Sequence, residues 1–101
     1  MNIDNLKNML AQGQDNLLLR FGLGQALLKD GQAEQAIEHL RAALDFDRNH
    51  SAAWKLLGKA YTETGQAAQA RDTYQQGIAV AESRGDVQAA KEMKVFLKRL
   101  G

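Results

Sequence analysis

An internal repeat constrains this chain more than any other feature. Aligned with itself at an offset of 34 residues and without a gap, the sequence pairs Leu23, Gly24, Ala26, Gly31, Gln32, Ala33, Gln35 and Ala36 with Leu57, Gly58, Ala60, Gly65, Gln66, Ala67, Gln69 and Ala70. Conservative pairs fall in the same register: Leu27 with Tyr61, Leu40 with Tyr74, Leu44 with Ile78 and Phe46 with Val80. A period of this length marks supersecondary units that cannot bury their apolar faces alone and must stack on one another. The units are helical, because proline is absent and Ala, Leu, Gln, Glu, Lys and Arg dominate, residues that lose little side-chain freedom in a helix. At 101 residues the chain has room for one domain with one modest core.

Each unit reads as two helices. In the first, the spacing predicts a helix over Leu17–Lys29, capped by Asp15 or Asn16 and ended by Gly31, and a second from about Ala33 to Phe46. Asn49, His50 and Ser51 form a polar connection, and Ser51 or Asn49 is the expected cap of a third helix over about Ala52–Thr64, which stops at Gly65. A fourth helix runs from about Ala67 to Ser83. Gly85 ends it, and Asp86 caps a last helix whose Ala90, Met93, Phe96, Leu97 and Leu100 recur at helical spacing. At the other end Ile3, Leu6 and Leu10 predict a short leading helix with Asp4 as its cap. Both terminal helices are expected to stand outside the repeat register and to seal the ends of the array. The expected organisation is one domain over 1–101, with capping helices at 1–14 and 86–100 and units at 17–50 and 51–84.

The segment AWKLLGKAYTETGQAAQARDTY resembles the tetratricopeptide repeat, whose signature W-x₂-L-G-x₂-Y, then Ala, then an aromatic is filled by Trp54, Leu57, Gly58, Tyr61, Ala70 and Tyr74. The first unit matches at Leu23, Gly24 and Ala36, with Leu40 for the aromatic, and departs from it with Arg20 for Trp and Leu27 for Tyr. The usual proline after the second helix is replaced by Arg48 and Glu82, so the fourth helix is expected to run longer than the family norm. The chain is similar to the small stand-alone tetratricopeptide proteins of bacteria. That resemblance implies an all-α, tetratricopeptide-type helical solenoid with a concave face lined by the first helix of each unit, and it implies recognition of a peptide or protein. Some members grip a C-terminal carboxylate with a Lys and Asn clamp. Here Phe21 and Gln25 fill the corresponding first-unit places and Leu56 replaces the second-unit Asn, so that activity is not carried over.

Little in the sequence points to other chemistry. A net charge of +1 lacks the basic excess of an electrostatic nucleic-acid binder. There is no cysteine, and no uninterrupted apolar run suggests a secretory leader or a membrane span, so a cytoplasmic setting is expected. His39 and His50 lack metal-ligand spacing and are expected at the surface. Ser51 and Ser83 sit in no nucleophile motif, and Gly22 and Gly24 lie inside a helix with no preceding strand, which excludes a phosphate loop. Lys91, Lys94, Lys98 and Arg99 suit the negative end of the last helix, and that structural role suffices for them. No enzyme activity, cofactor or metal is expected, nor a nucleic-acid or membrane partner.

The repeat register assigns Leu18, Phe21, Gln25, Leu28 and Lys29 of the first unit, and Ala52, Lys55, Lys59, Thr62 and Glu63 of the second, to the concave face. An apolar half thus adjoins a basic half. The expected binding residues are Leu18, Phe21, Gln25, Leu28, Lys55, Lys59 and Thr62, holding a short apolar and acidic segment of a partner protein. Two other expectations compete with this one. Phe21 and Leu28 form a homodimer patch around a two-fold axis, or they belong to the core, either directly or because the last helix folds over them.

Overall fold

The computed structural model describes residues 2–101, so Met1, the first residue of the expected leading segment, lies outside the described residues. Those residues form six helices and no strand: α1 (Ile3–Ala11), α2 (Leu17–Lys29), α3 (Ala33–Phe46), α4 (Ser51–Glu63), α5 (Ala67–Arg84) and α6 (Val87–Leu100). The chain is all-α, as its composition requires. The two turns inside the units are equivalent. Gly31 and Gly65 have φ of +78° and +75°, a left-handed conformation in which a Cβ crowds the backbone. The amides that follow close the same way, Gln32 N–H donating to Leu27 O and Gln66 N–H to Tyr61 O, both at 2.8 Å.

Capping follows expectation at two helices and departs from it at two. Asn16 Oδ1 accepts from Leu19 N–H at 2.8 Å, and Asp86 Oδ1 from Ala89 N–H at 3.2 Å. At α4 the cap is His50, whose Nδ1 accepts from Ala53 N–H at 3.1 Å. Ser51 is instead the first helical residue, because its hydroxyl is engaged elsewhere, donating to Asp86 Oδ2 at 2.6 Å and tying the start of α4 to the start of α6. At α1 the cap is Asn2, and Asp4 lies in the first turn, where its charge meets the positive end of the helix. No proline follows either outer helix, yet α5 reaches 18 residues, up to the left-handed Gly85, against 14 in α3.

The helices pack as hairpins, α2 on α3 and α4 on α5, and each hairpin leans on the next through α3 against α4 and α5 against α6. Glycines set the closest crossings. A Cβ on Gly24 would lie 2.6 Å from Leu40 Cγ, and one on Gly58 would overlap the Tyr74 ring at Cε1, so the absent side chains are what let these helices meet. Gly77 has the same role against Met93 and Trp54 and was not singled out by the repeat pattern. Leu23, Leu27, Leu40, Tyr74 and Met93 fill the centre.

Two layers result. In one, α2 touches α4 and α4 touches α6; in the other, the backbones of α1, α3 and α5 stand further apart, and α1 reaches α3 only through a long side chain, Lys7 Nζ donating to Gln35 Oε1 at 2.9 Å. Helices that are close in one layer and splayed in the other curve the stack, and the α2–α4–α6 side is the concave one. The expectation that α1 lies outside the register is corrected. Ile3, Leu6 and Leu10 stand 34 residues before Ile37, Leu40 and Leu44, and α1 packs on α2 as α3 packs on α4. In register and in packing it corresponds to the outer helix α3.

The first unit solves the loss of its signature Trp with a polar network. Arg20, in the place of Trp54, donates from Nε and a terminal nitrogen to both carboxylate oxygens of Asp15 at 2.7 and 3.0 Å. Its other terminal nitrogen lies 3.0 Å from His39 Nδ1. His39 is 7% exposed, which overturns its expected surface position: it lies on the buried face of α3, and Arg20 supplies the partner a buried imidazole needs. Burial lowers its pKa, so the ring is neutral near pH 7 and accepts from Arg20 through Nδ1.

Candidate protein-binding surface

The inner helix α2 is apolar around almost its whole circumference. The core takes Leu19, Leu23, Leu27 and also Leu28, which is 9% exposed. Leu28 therefore belongs to the core and contributes little to any surface. The last helix has no part in this, since α6 does not reach α2. Leu18 remains 80% exposed on the same helix. Phe21, one turn on, is half-buried against His50, with ring centroids 4.6 Å apart. His50 is thus held between a capping bond and an aromatic contact and is no free surface residue either. Gln25 and Lys29 continue the exposed stripe of α2.

On α4 the structure separates residues that the register had grouped. Lys55 Nζ pairs with Glu92 Oε1 of α6 at 3.1 Å and is half-buried there. Lys59 is exposed, its Nζ 5.6 Å from the centroid of Phe96. Thr62 is exposed, but its hydroxyl donates back to Gly58 O at 2.8 Å and serves its own helix. The basic half of the surface is therefore reduced on α4 to Lys59.

The structure adds a feature that sequence reasoning missed. Lys59, Thr62 and Glu63 of α4, Tyr74 of α5, and Phe96, Arg99 and Leu100 of α6 line a cavity of about 220 Å³. Phe96 and Leu100 were legible only as part of an apolar stripe, and nothing in their spacing distinguishes a stripe that is covered from one that stays partly open. Burial pushes the Tyr74 phenol up from its ordinary value, so it stays protonated in this wall.

Stacked helical hairpins with one layer open to solvent define the class of helical-repeat scaffolds. The tetratricopeptide repeat family matches residues 3–57 and 27–93, and the chain belongs to that family. The first match begins with α1, in keeping with its place in the register. A tetratricopeptide-repeat-containing protein of Pseudomonas aeruginosa is 53% identical over 100 residues, covering 99% of this chain and 95% of the relative. A protein of Bordetella parapertussis solved in solution is 51% identical with a TM-score of 0.86, covering 99% of this chain and 87% of that one. The crystal structure of a tetratricopeptide repeat domain protein from Salinibacter ruber is 27% identical with a TM-score of 0.77, covering 85% of this chain and 96% of that one. Proteins of this family are in general modules for protein–protein interaction rather than enzymes.

Proposed function

We propose that the chain binds an extended segment of a partner polypeptide across its inner layer, with Leu18, Phe21 and Gln25 at one end and Lys59 and Thr62 at the other. The observation that carries this reading is Leu18, a large apolar side chain held 80% exposed on a helix whose core demands are already met by four other leucines. With α2, α4 and α6 at spacings of ~8–10 Å, the face is roughly 20–30 Å across, which is room for about 6–9 extended residues at ~3.3 Å each. Covering Leu18 contributes ~1.5–3 kcal/mol, and ordering the segment offsets much of the total. The expected affinity is micromolar. Because Lys55 is already paired, an acidic group on the partner meets Lys59. A homodimer through a Phe21/Leu28 patch is disfavoured, since Leu28 is buried and only Phe21 is left to form it.

Affinity capture from a native bacterial lysate, followed by NMR shift mapping with the captured partner, tests this reading. Leu18→Asp is expected to abolish capture without unfolding the protein, and Gln75→Arg on the outer layer to leave it unchanged. A partner retained by Leu18→Asp, with shifts centred on Glu38 and Gln75, overturns the inner-layer reading.

A further inference from the structure

We infer that the cavity between α4, α5 and α6 is a specificity pocket for one large apolar side chain, aromatic or branched, flanked in the partner by carboxylates. This rests on the inner-layer reading for the path of the partner, and it adds what the partner must carry. Size is the first ground. At about 220 Å³ the cavity is below the ~300 Å³ at which pockets for drug-sized ligands begin, and it is of the scale of a single side chain. The second ground is its wall. Tyr74 and Phe96 meet with centroids 5.8 Å apart at a tilt of 41°, and Leu100 completes an apolar lining.

Charge complementarity supplies the third ground and identifies the occupant. Lys59 Nζ and Arg99 Cζ lie 5.6 and 6.0 Å from the centroid of Phe96, so two cations stand at the rim. Two other cations on the same helices are neutralised, Lys55 by Glu92 at 3.1 Å and Lys94 by Glu82 at 2.8 Å, while Lys91 and Lys98 of α6 do not line the cavity. Among the described residues neither Lys59 nor Arg99 forms a salt bridge. Glu63, also on the rim, opposes them with one negative charge and leaves a net positive mouth. An apolar residue entering there brings its flanking side chains to the two free cations. Basic flanks would meet repulsion.

The chain itself displays this chemistry once, at Asp45, Phe46 and Asp47, where Phe46 is largely exposed at the end of α3. A second copy is nevertheless not the occupant assigned. Phe46 of one molecule in the pocket of the next is a head-to-tail contact that leaves a free pocket and a free Phe46 at the ends, and such contacts propagate into open polymers unless the rotation closes.

The test uses a fluorescein-labelled octapeptide with one phenylalanine flanked on each side by two acidic residues and capped by serines, read by fluorescence anisotropy on the intact protein. Micromolar binding is expected, with shift changes at Lys59, Thr62, Arg99 and Leu100. Replacing the phenylalanine by serine, or reversing the protein's charges with Lys59→Glu and Arg99→Glu, is expected to weaken binding by about tenfold or more. Lys59→Gln with Arg99→Gln is expected to fall between, and circular dichroism checks that each variant is folded. A peptide with lysine flanks is expected not to bind. Binding that is indifferent to the charge reversal, or no binding up to millimolar peptide, overturns the pocket while leaving the inner-layer reading to stand or fall on Leu18→Asp. Capture lost in the charge-reversed protein but retained by Leu18→Asp supports the pocket and removes the wider face. Self-association that is saturable and abolished by Asp45→Lys with Asp47→Lys assigns the cavity to a second copy and overturns the proposal.

Discussion

Gly58→Ala is the sharpest test of how these helices meet. A Cβ at this position would lie 2.6 Å from Tyr74 Cδ1 and 2.7 Å from Cζ, with Cε1 closer still, so the ring has to retreat by about 1 Å to restore ordinary contact. Tyr74 is 2% exposed and packed on Phe96, and a rigid ring in that position cannot rotate out of the way. Overpacking of this kind costs ~1–3 kcal/mol, while replacing a mid-helix glycine by alanine returns ~1 kcal/mol of backbone entropy. Because the ring is held on all sides the overpacking lies near the upper end of that range, so the net expectation is a loss of about 2 kcal/mol, a fall in Tm of roughly 8–16 °C for a domain of this size. Urea denaturation followed at 222 nm measures it. The background Tyr74→Ala provides the sign test: there the added methyl enters a cavity, and Gly58→Ala becomes neutral or stabilising by up to ~1 kcal/mol. Gly24→Ala should cost less than Gly58→Ala, because Leu40 can change rotamer where a ring cannot. The reasoning is refuted by a Gly58→Ala protein as stable as wild type, or by a loss of equal size in both backgrounds.

Three further outcomes follow from other contacts. Gly77→Ala, whose Cβ would lie 2.5 Å from Met93 Sδ and 2.7 Å from Trp54 Cβ, an atom fixed to its backbone, is expected to destabilise by about 2 kcal/mol after the same ~1 kcal/mol return, and an unchanged urea midpoint would show that α4, α5 and α6 are looser than described. Asn16→Ala removes the side-chain acceptor for Leu19 N–H and is expected to cost ~1 kcal/mol, with Asn16→Asp retaining most of the stability. For His39 the folded pKa is lowered, chiefly by burial, so the unfolded state binds the proton first. Its contribution is complete above its ordinary value of 6.5 and is lost as pH falls toward the lowered folded value. Arg20 and Lys7 oppose the imidazolium, and Glu38 and Asp15 favour it. Asp15 and Asp86, themselves lowered from 3.8, act only at more acid pH. Tm is therefore expected to fall as the pH drops below 6.5 in wild type and to fall less in His39→Gln, and an equal slope in both proteins would remove His39 as the cause.

The repeat at 34 residues, the absence of proline and the glycines at 31 and 65 determined the number of helices, their type and where the hairpins turn, because these depend on local propensity and on a periodicity visible along the chain. The same register contained the place of α1, legible in Ile3, Leu6 and Leu10 against Ile37, Leu40 and Leu44. Tertiary structure decided what each exposed-looking residue is for. Leu28 and Leu18 are both leucines on α2, and only the packed neighbours of α2 make one core and leave the other in water. Ser51 is a good capping residue by itself, but Asp86, 35 residues away, claims its hydroxyl and leaves the cap to His50. Lys55 and Lys59 are equivalent by spacing, and it is Glu92 on a helix from another part of the chain that neutralises one and not the other. Local rules depend on a few neighbouring residues, whereas partnership and exposure depend on which distant side chains the curvature of the stack brings within a few ångströms.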